Sequence, residues 1–200
     1  MISKALNLIV SELNRYIPPT LPEDPAEVVL GNIALNESSD QNDILDRVVV
    51  SLVNIEEEVA LKNAQTFQKM STGARYFHQP VHLNLYLVFA AHYPKFYEKA
   101  LLRLSSVIRF FQHKKTFDLG SSSSLPVVLN SEEPELSITM DLYTMTFEQI
   151  NHLWGTLGGK QMPFVMYKGR LVKLQDKRIV KEAPLIEVIQ NNVHSTLVSS

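Results

Sequence analysis

Hydrophobic and polar residues alternate along several segments of the chain with the two-residue period of a β-strand. Residues 81–92 and 136–143 show this alternation, and we predict a strand in each, as well as in residues 27–35. Residues 163–174 and 179–189 are also strand-like, with Lys168–Gly169 as the candidate point for a bend in the first. Strands therefore account for most of the predicted regular structure.

Residues 45–57 form a predicted strand of a different kind, because apolar side chains occupy both of its faces. One face carries Val48, Val50 and Leu52, and the other carries Val49, Val53 and Ile55. Such a pattern is typical of an interior strand that is covered on both sides, or of one that a partner covers.

Three segments show the period of an amphipathic helix instead. The first is residues 3–16, with Ser3 as the expected N-cap. The second opens near Pro94 and runs to His113, with an apolar stripe of Tyr97, Ala100, Leu101, Leu104, Val107, Ile108 and Phe111. The third begins at a capping box of Thr146 and Gln149, ends at Gly158–Gly159, and has Phe147, Ile150, Trp154 and Leu157 as its apolar residues.

Two segments have neither period but still contain apolar residues. Residues 60–80 are predicted to be a long loop, and residues 191–200 a mobile tail. Apolar side chains on such segments often mark association surfaces. We therefore predict partner contacts at Phe67, Met70, Tyr76 and Phe77 in the loop and at Val193 and Leu197 in the tail.

The order of these elements predicts a single α+β domain over residues 1–190, followed by the tail. Its architecture is a mainly antiparallel sheet with about three helices packed on it. We expect Leu85, Leu104, Phe111 and Trp154 to belong to its core.

Composition narrows the classes of function. The 200 residues contain 19 basic and 21 acidic side chains and no cysteine, so disulfides and thiolate metal sites are excluded. No basic cluster suggests a nucleic-acid partner. Neither a signal peptide nor a span of about 20 apolar residues is visible. We expect synthesis and folding in the cytoplasm, without membrane insertion.

Motifs that carry chemistry are weak in this sequence. His78 and His82 have a metal-ligand spacing, but Pro80 between them breaks the helix that would align them, so we expect surface or satisfied histidines there and at His92. Residues 155–160, GTLGGK, lack the phosphate-loop pattern and follow a helix instead of opening one. Glu56, Glu57 and Glu58 fit a solvated strand end or a salt-bridging rim. We predict no catalytic residue, cofactor or metal.

Five segments, in this order, carry a resemblance to a known family: VVLGNIA (28–34), VVVSLVNIEEE (48–58), VHLNLYLVFAAHY (81–93), YEKALLRLSSVIRFFQ (97–112) and INHLWGTLGGKQMPFVMYKGRLV (150–172). The chain resembles the N-terminal domain family of tail-terminator proteins from extracellular contractile injection systems, of the virulence-cassette and antifeeding-prophage type. The last segment is the most diagnostic of the five.

The resemblance implies a structural subunit without enzymatic activity or cofactor. In that family the protein forms a hexameric ring that closes the inner tube and sheath of a phage-tail-like particle, which can be released from the cell. Because the chain ends soon after the shared region, an adaptor ring beneath a second cap protein is also open. Two other functions remain: a stand-alone protein-binding module of the same fold, and a hydrolase with a dispersed site.

Overall fold

The computed structural model describes residues 2–17, 27–35, 44–58, 67–70, 73–77, 81–118, 137–174 and 179–184. Its helices are α1 (Ile2–Tyr16), α2 (Tyr97–His113) and α3 (Phe147–Thr156), with a 3-10 turn at Ile33–Leu35. Its strands are β1 (Val28–Leu30), β2 (Arg47–Glu57), β3 (Phe67–Met70), β4 (Gly73–Phe77), β5 (Val81–His92), β6 (Thr116–Asp118), β7 (Ser137–Leu142), β8 (Phe164–Leu174) and β9 (Ile179–Pro184). The predicted α+β class is confirmed. No helix in these ranges is long and apolar enough to cross a membrane.

Six strands form the main sheet in the order β1-β2-β5-β8-β7-β6. Every neighbouring pair is antiparallel except β1 with β2, which are parallel. Strands β5 and β8 lie at the centre, and short three-residue strands lie at both edges. Short edge strands limit the row of backbone groups that is open to pairing by another chain.

One face of the main sheet packs against α1 and α2 and contains the larger core. Leu85 from the centre of β5 is fully buried there, as are Leu8 and Leu13 from α1. An aromatic cluster joins α2 to the sheet, with ring centroids 4.4–6.0 Å apart among Phe89, Phe110, Phe111, Phe117 and Tyr167. Burial of its ring raises the pKa of Tyr167 to about 12.

The opposite face is covered over part of its length by α3. Trp154 of α3 is 4% exposed and packs in a second cluster with Ile33, Val88, Ala90 and Met166. Of the four predicted core residues, Leu85, Leu104 and Phe111 thus lie in the larger core and Trp154 in this smaller one.

A buried ion pair fastens α2 to the edge of the sheet. The Arg103 guanidinium donates to the Glu27 carboxylate at 3.1 Å, and the Tyr93 hydroxyl donates to the same carboxylate at 3.0 Å. Glu27 directly precedes β1 and is almost fully buried. Burial and the neighbouring Glu27 raise the pKa of Tyr93 well above its usual range. The first turns of α2 are therefore held near β1.

The predicted strand at residues 27–35 is too long, because the chain leaves the sheet after three residues. Ser51 of β2 causes this departure: its hydroxyl donates to the carbonyl of Gly31 and accepts from the amide of Ile33 at 3.1 Å. The side chain thereby replaces the next backbone bonds of the ladder, and residues 33–35 turn into a 3-10 helix.

The predicted faces of β2 are also wrong at one position. A β-bulge between Leu52 and Asn54 inserts an extra residue, so Ile55 is paired with Leu85 on the larger-core face. Sequence alternation had placed Ile55 on the same face as Val49 and Val53. A bulge moves every later side chain to the other face of the strand.

The predicted loop at residues 60–80 contains two strands. Strands β3 and β4 pair antiparallel, with Phe67 opposite Tyr76 and Met70 opposite Gly73. Strand β9 pairs with the other edge of β4, which gives a separate three-stranded sheet. Because β4 leads into β5 and β8 leads into β9, this small sheet continues the central β5–β8 pair. Period two is hard to detect in strands of four or five residues.

The structure defines where each of the three predicted helices begins. Helix α1 begins at Ile2, so Ser3 lies inside its first turn and accepts a bond from the Asn7 amide at 3.4 Å instead of capping the helix. Helix α2 begins at Tyr97, three residues after Pro94. The capping box of Thr146 and Gln149 is confirmed, with both reciprocal bonds present.

Gly169 of β8 lies close to side chains of the neighbouring strand β7. A Cβ atom there would lie 2.9 Å from Cδ1 of Ile138 and 3.1 Å from the sulfur of Met140. The β5–β8 ladder passes through Lys168 and Gly169 without a register shift, so no bulge interrupts β8 at the position of the predicted bend. Glycine at this position serves close packing of β8 against its neighbours.

We predict that Gly169→Val destabilises the protein by about 1–3 kcal/mol, because added methyl groups must displace buried side chains. Urea unfolding of the purified chain measures the change. Gly155→Val is the matched control: no atom lies within 4 Å of a Cβ at that exposed helix position, so its effect is expected to stay within about 0.5 kcal/mol. Equal costs for both variants would contradict the packing argument.

Candidate functional site

The histidines singled out by the sequence do not converge on one site. His82 and His92 lie near opposite ends of β5, and ten residues of strand separate them by about 33 Å. Nδ1 of His92 lies 3.2 Å from the sulfur of Met162. Burial lowers the pKa of His92, and the negative charge of Asp46 offsets part of this effect. Nδ1 of His82 is buried and has no hydrogen-bond partner among the described residues, so this nitrogen is not satisfied by any of them. His78 lies outside the described residues.

The glycine pair after α3 terminates the helix. Gly158 and Gly159 both have positive φ, at 102° and 80°, and the Gly159 amide donates to the carbonyl of Trp154 at 2.7 Å. This bond belongs to the Schellman arrangement, which satisfies carbonyls at a helix C-terminus. The termination predicted for this motif is confirmed.

Two of the three glutamates at the end of β2, Glu56 and Glu58, join a polar network on the α3 side of the sheet. Oε2 of Glu56 accepts from the Tyr86 hydroxyl at 2.9 Å, and Oε2 of Glu58 accepts from the Asn84 amide at 2.9 Å. Lys168 lies 3.8 Å from Glu58. Burial, followed by the bond to Glu56, raises the pKa of Tyr86 to about 12. This arrangement corresponds to the salt-bridging rim considered for these glutamates in the sequence analysis.

A cavity of about 240 Å³ opens beside this network and is lined by Glu58, His82, Leu83, Asn84, Thr139, Arg170 and Leu171. A hydrolase would need a hydroxyl nucleophile held against a base. Among the described residues, Nδ1 of His82 has no partner, and the Thr139 hydroxyl lies 3.3 Å from that of Thr116. The polar groups of the cavity therefore do not supply the nucleophile–base pair that the hydrolase hypothesis requires.

Large apolar side chains are exposed along the beginnings of α2 and α3. Tyr97 and Leu101, predicted to face the core from α2, are exposed, as is Phe147 of α3 at 87%. The sequence pattern did not indicate this exposure, because the predicted apolar stripe of α2 is wider than the part of the helix that the sheet can cover. Phe110, which the stripe omitted, is buried in their place. Exposed apolar surface of this kind is typical of an association site.

The predicted contact residues of the segment 60–80 fall on the small sheet. Phe67 and Met70 lie on β3, and Tyr76 and Phe77 lie on β4. The three strands of this sheet contact chiefly one another among the described elements. Val193 and Leu197 lie outside the described residues, so both contact predictions remain untested.

Nearly the whole chain matches a model of one protein family. The family is described as the Pvc16 N-terminal domain, and the match covers residues 5–187. Among curated proteins, none matches this chain in sequence.

Two cryo-EM structures share the fold. One is the PVC sheath/tube terminator of an extracellular contractile injection system in its extended state, with a TM-score of 0.63 at 14% identity over 100% of this chain and 65% of that chain. The other is the anti-feeding prophage cap, described as a tube-terminating cap, with a TM-score of 0.57 at 14% identity over 96% of this chain and 62% of that chain. The chain thus spans less than two thirds of the length of either. The predicted terminator-like fold is confirmed.

We predict that His82→Gln and His92→Gln fold with melting temperatures close to that of the parent chain, because the two rings are too far apart to share a metal. Calorimetry measures the melting temperature, and elemental analysis of the purified protein measures bound zinc. Stoichiometric zinc that disappears in His82→Ala would contradict the prediction.

Proposed function

Because the chain belongs to the Pvc16 N-terminal domain family, we propose that it is a structural subunit that terminates the sheath and inner tube of a contractile injection particle. The family match over residues 5–187 carries this proposal. The two solved structures described above are named for termination of a sheath or tube. A stand-alone binding module and a hydrolase have no comparable support.

The subunit works as a hexameric ring of identical copies. Supporting this, large apolar side chains remain exposed on α2 and at the beginning of α3 in the isolated chain. A ring needs two different surfaces on each copy, because its contacts are heterologous and close by rotation. The particle end is the template on which the ring forms.

Contacts with the sheath and tube are made by the small sheet of β3, β4 and β9 and by the tail after residue 190. Along the chain, the strands of the small sheet flank the central β5–β8 pair, because β4 precedes β5 and β9 follows β8. Its edge strands β3 and β9 offer backbone groups to a neighbouring chain, which is a common route to strand addition. A second cap protein stacks on the ring where the particle has one.

The role requires neither chemistry nor a cofactor. Termination needs only a surface that binds the last layer of sheath and tube and offers no site for the next layer. We place its assembly in the cytoplasm and its final position in a particle that acts outside the cell, as the solved terminator does.

Removal of the chain tests the function. Particles produced without it are expected to lose uniform length, because nothing stops polymerisation of sheath and tube. Electron microscopy measures the length distribution, and an averaged reconstruction of the particle end measures its symmetry. Uniform lengths without the chain, or a single copy at the end of a normal particle, would contradict the proposal.

The double variant Phe67→Ser/Tyr76→Ser tests the small sheet. We expect it to fold with a melting temperature near that of the parent, because β3 and β4 contact few other described elements, and to give particles of uneven length. The neighbouring cross-strand pair provides a matched control: Gln68→Ser/Arg75→Ser alters the adjacent register position and is expected to terminate particles normally. An insoluble first variant, or two variants with the same effect, would count against a contact at Phe67 and Tyr76.

A further inference from the structure

A row of polar side chains beside the cavity described above crosses three neighbouring strands of the main sheet. Asn84 of β5 is paired with Arg170 of β8, and Arg170 is paired with Thr139 of β7. All three residues line the cavity. Because directly paired residues share one face of a sheet, an amide, a guanidinium and a hydroxyl are placed around a common space.

Asn84 is the buried member of this row. It is 4% exposed, and its Nδ2 donates to Oε2 of Glu58 at 2.9 Å. That bond fixes the orientation of the side-chain amide and turns Oδ1 away from the carboxylate. Oδ1 is buried and has no hydrogen-bond partner among the described residues. A buried carbonyl oxygen without a donor is costly, so this position favours a ligand that brings an N–H or O–H group.

Two further groups of the cavity narrow the chemistry of the ligand. Nδ1 of His82 is also buried, with no partner in the part of the chain that the structure describes, and it accepts a hydrogen bond in one tautomer of the ring. Nη2 of Arg170 donates to Asp141 at 2.6 Å, but a guanidinium has five N–H donors. The arrangement thus offers two acceptors and one charged donor.

A primary carboxamide matches these three groups better than an ion does. It carries two N–H donors, for Asn84 and His82, and one carbonyl acceptor, for Arg170. A carboxylate or phosphate has no donor and meets the Glu58 carboxylate. An ammonium group has no acceptor and meets Arg170 and Lys168, whose ammonium lies 3.8 Å from Glu58. A hydroxyl supplies only one donor.

The size of the cavity favours a single side chain as its occupant. Its volume of about 240 Å³ far exceeds the roughly 10–15 Å³ that one water molecule needs. It is below the roughly 300–1,000 Å³ that is typical of pockets for small molecules and cofactors. The Arg170 side chain is 54% exposed, so the charged donor can be reached from outside the subunit.

We propose that this cavity binds a carboxamide group that is presented by an asparagine or glutamine side chain of a protein partner. The chemistry of the site is independent of the function proposed above. The identity of the partner rests on that function, because we place it among the components of the particle end. Water alone and a free small amide are the other occupants, and the following experiments distinguish them.

Titration of the purified chain with propionamide, which is the glutamine side chain without its backbone, tests the chemistry. NMR spectra are expected to show saturable shifts at the side-chain amide of Asn84 and at the His82 ring. The dissociation constant is expected in the millimolar range, because a ligand of so few heavy atoms makes few contacts.

Propionate, propylammonium and propanol are the matched probes, since they are close in size and differ in donors, acceptors and charge. Each is expected to bind at least about tenfold more weakly than propionamide. Equal binding of any of the three would overturn the carboxamide assignment. The absence of saturable shifts with propionamide would also overturn it and would assign the cavity to water.

Two variants test the residues of the site. Arg170→Met removes the charged donor and is expected to weaken propionamide binding about tenfold, whereas Asn84→Leu removes the unpartnered oxygen and is expected to abolish binding. Arg109→Met is the matched control, because Arg109 is exposed on α2 and is not among the residues that line the cavity. Equal affinities in Arg170→Met and Arg109→Met would contradict the proposal, whether or not Asn84→Leu folds.

Assembled particles test the source of the carboxamide. If a side chain of a particle component fills the cavity, Arg170→Met is expected to occupy fewer particle ends in electron micrographs than Arg109→Met does. Full occupancy by Arg170→Met, with propionamide binding intact in the parent chain, would overturn the protein source and leave a free amide as the ligand. Failure of the proposed function gives a different result, namely particles of normal length without the chain.

Discussion

The central strand β5 must be buried on both faces over part of its length, and the arrangement of the helices follows from this constraint. Leu85, Leu87 and Phe89 face one side, whereas Val88 and Ala90 face the other. Two helices cover the first side. On the second side α3 has only ten residues, or about 15 Å of helix, which is far shorter than a twelve-residue strand. Among the described residues, part of that face therefore has no helix packed on it.

The polar residues of β5 occur where no helix covers the sheet. His82, Asn84 and Tyr86 lie on the same face as Val88 and Ala90 but nearer the start of the strand. The Asn84 amide bonds to Glu58 and the Tyr86 hydroxyl bonds to Glu56, while the Tyr86 ring also packs against the edge of the cluster around Trp154. The change from polar to apolar residues along one face thus coincides with the length of α3, which allows a stable fold to present a polar surface and an apolar one side by side.

Because the helices are not fully covered by the rest of the described fold, large apolar side chains of α2 and α3 remain exposed, and assembly can use them. Two helices of ordinary length cannot enclose every apolar residue of α2, because the Glu27–Arg103 ion pair fixes one side of that helix toward β1. The side chains left outside are large and aromatic. Apolar surface of this kind suits the proposed ring, in which neighbouring copies would cover it.

The sequence by itself determined the class of the fold, the existence of the three helices, the long strands, the capping box at Thr146 and the helix stop at Gly158–Gly159. These features depend on local periodicity and on backbone chemistry that neighbouring residues settle. The resemblance carried by five segments also pointed to the family that the domain match then showed. Only the tertiary structure decided which face of β2 carries Ile55, where β1 ends, and that residues 67–70 and 73–77 pair as strands. It also decided that Tyr97, Leu101 and Phe147 stay exposed. Each of these depends on a partner distant in sequence: a bulge against β5, the Ser51 hydroxyl, the strand β9, or a sheet too narrow to cover a whole helical stripe. Local patterns report that a residue is apolar, but only the packed neighbours determine whether another part of the chain is available to bury it.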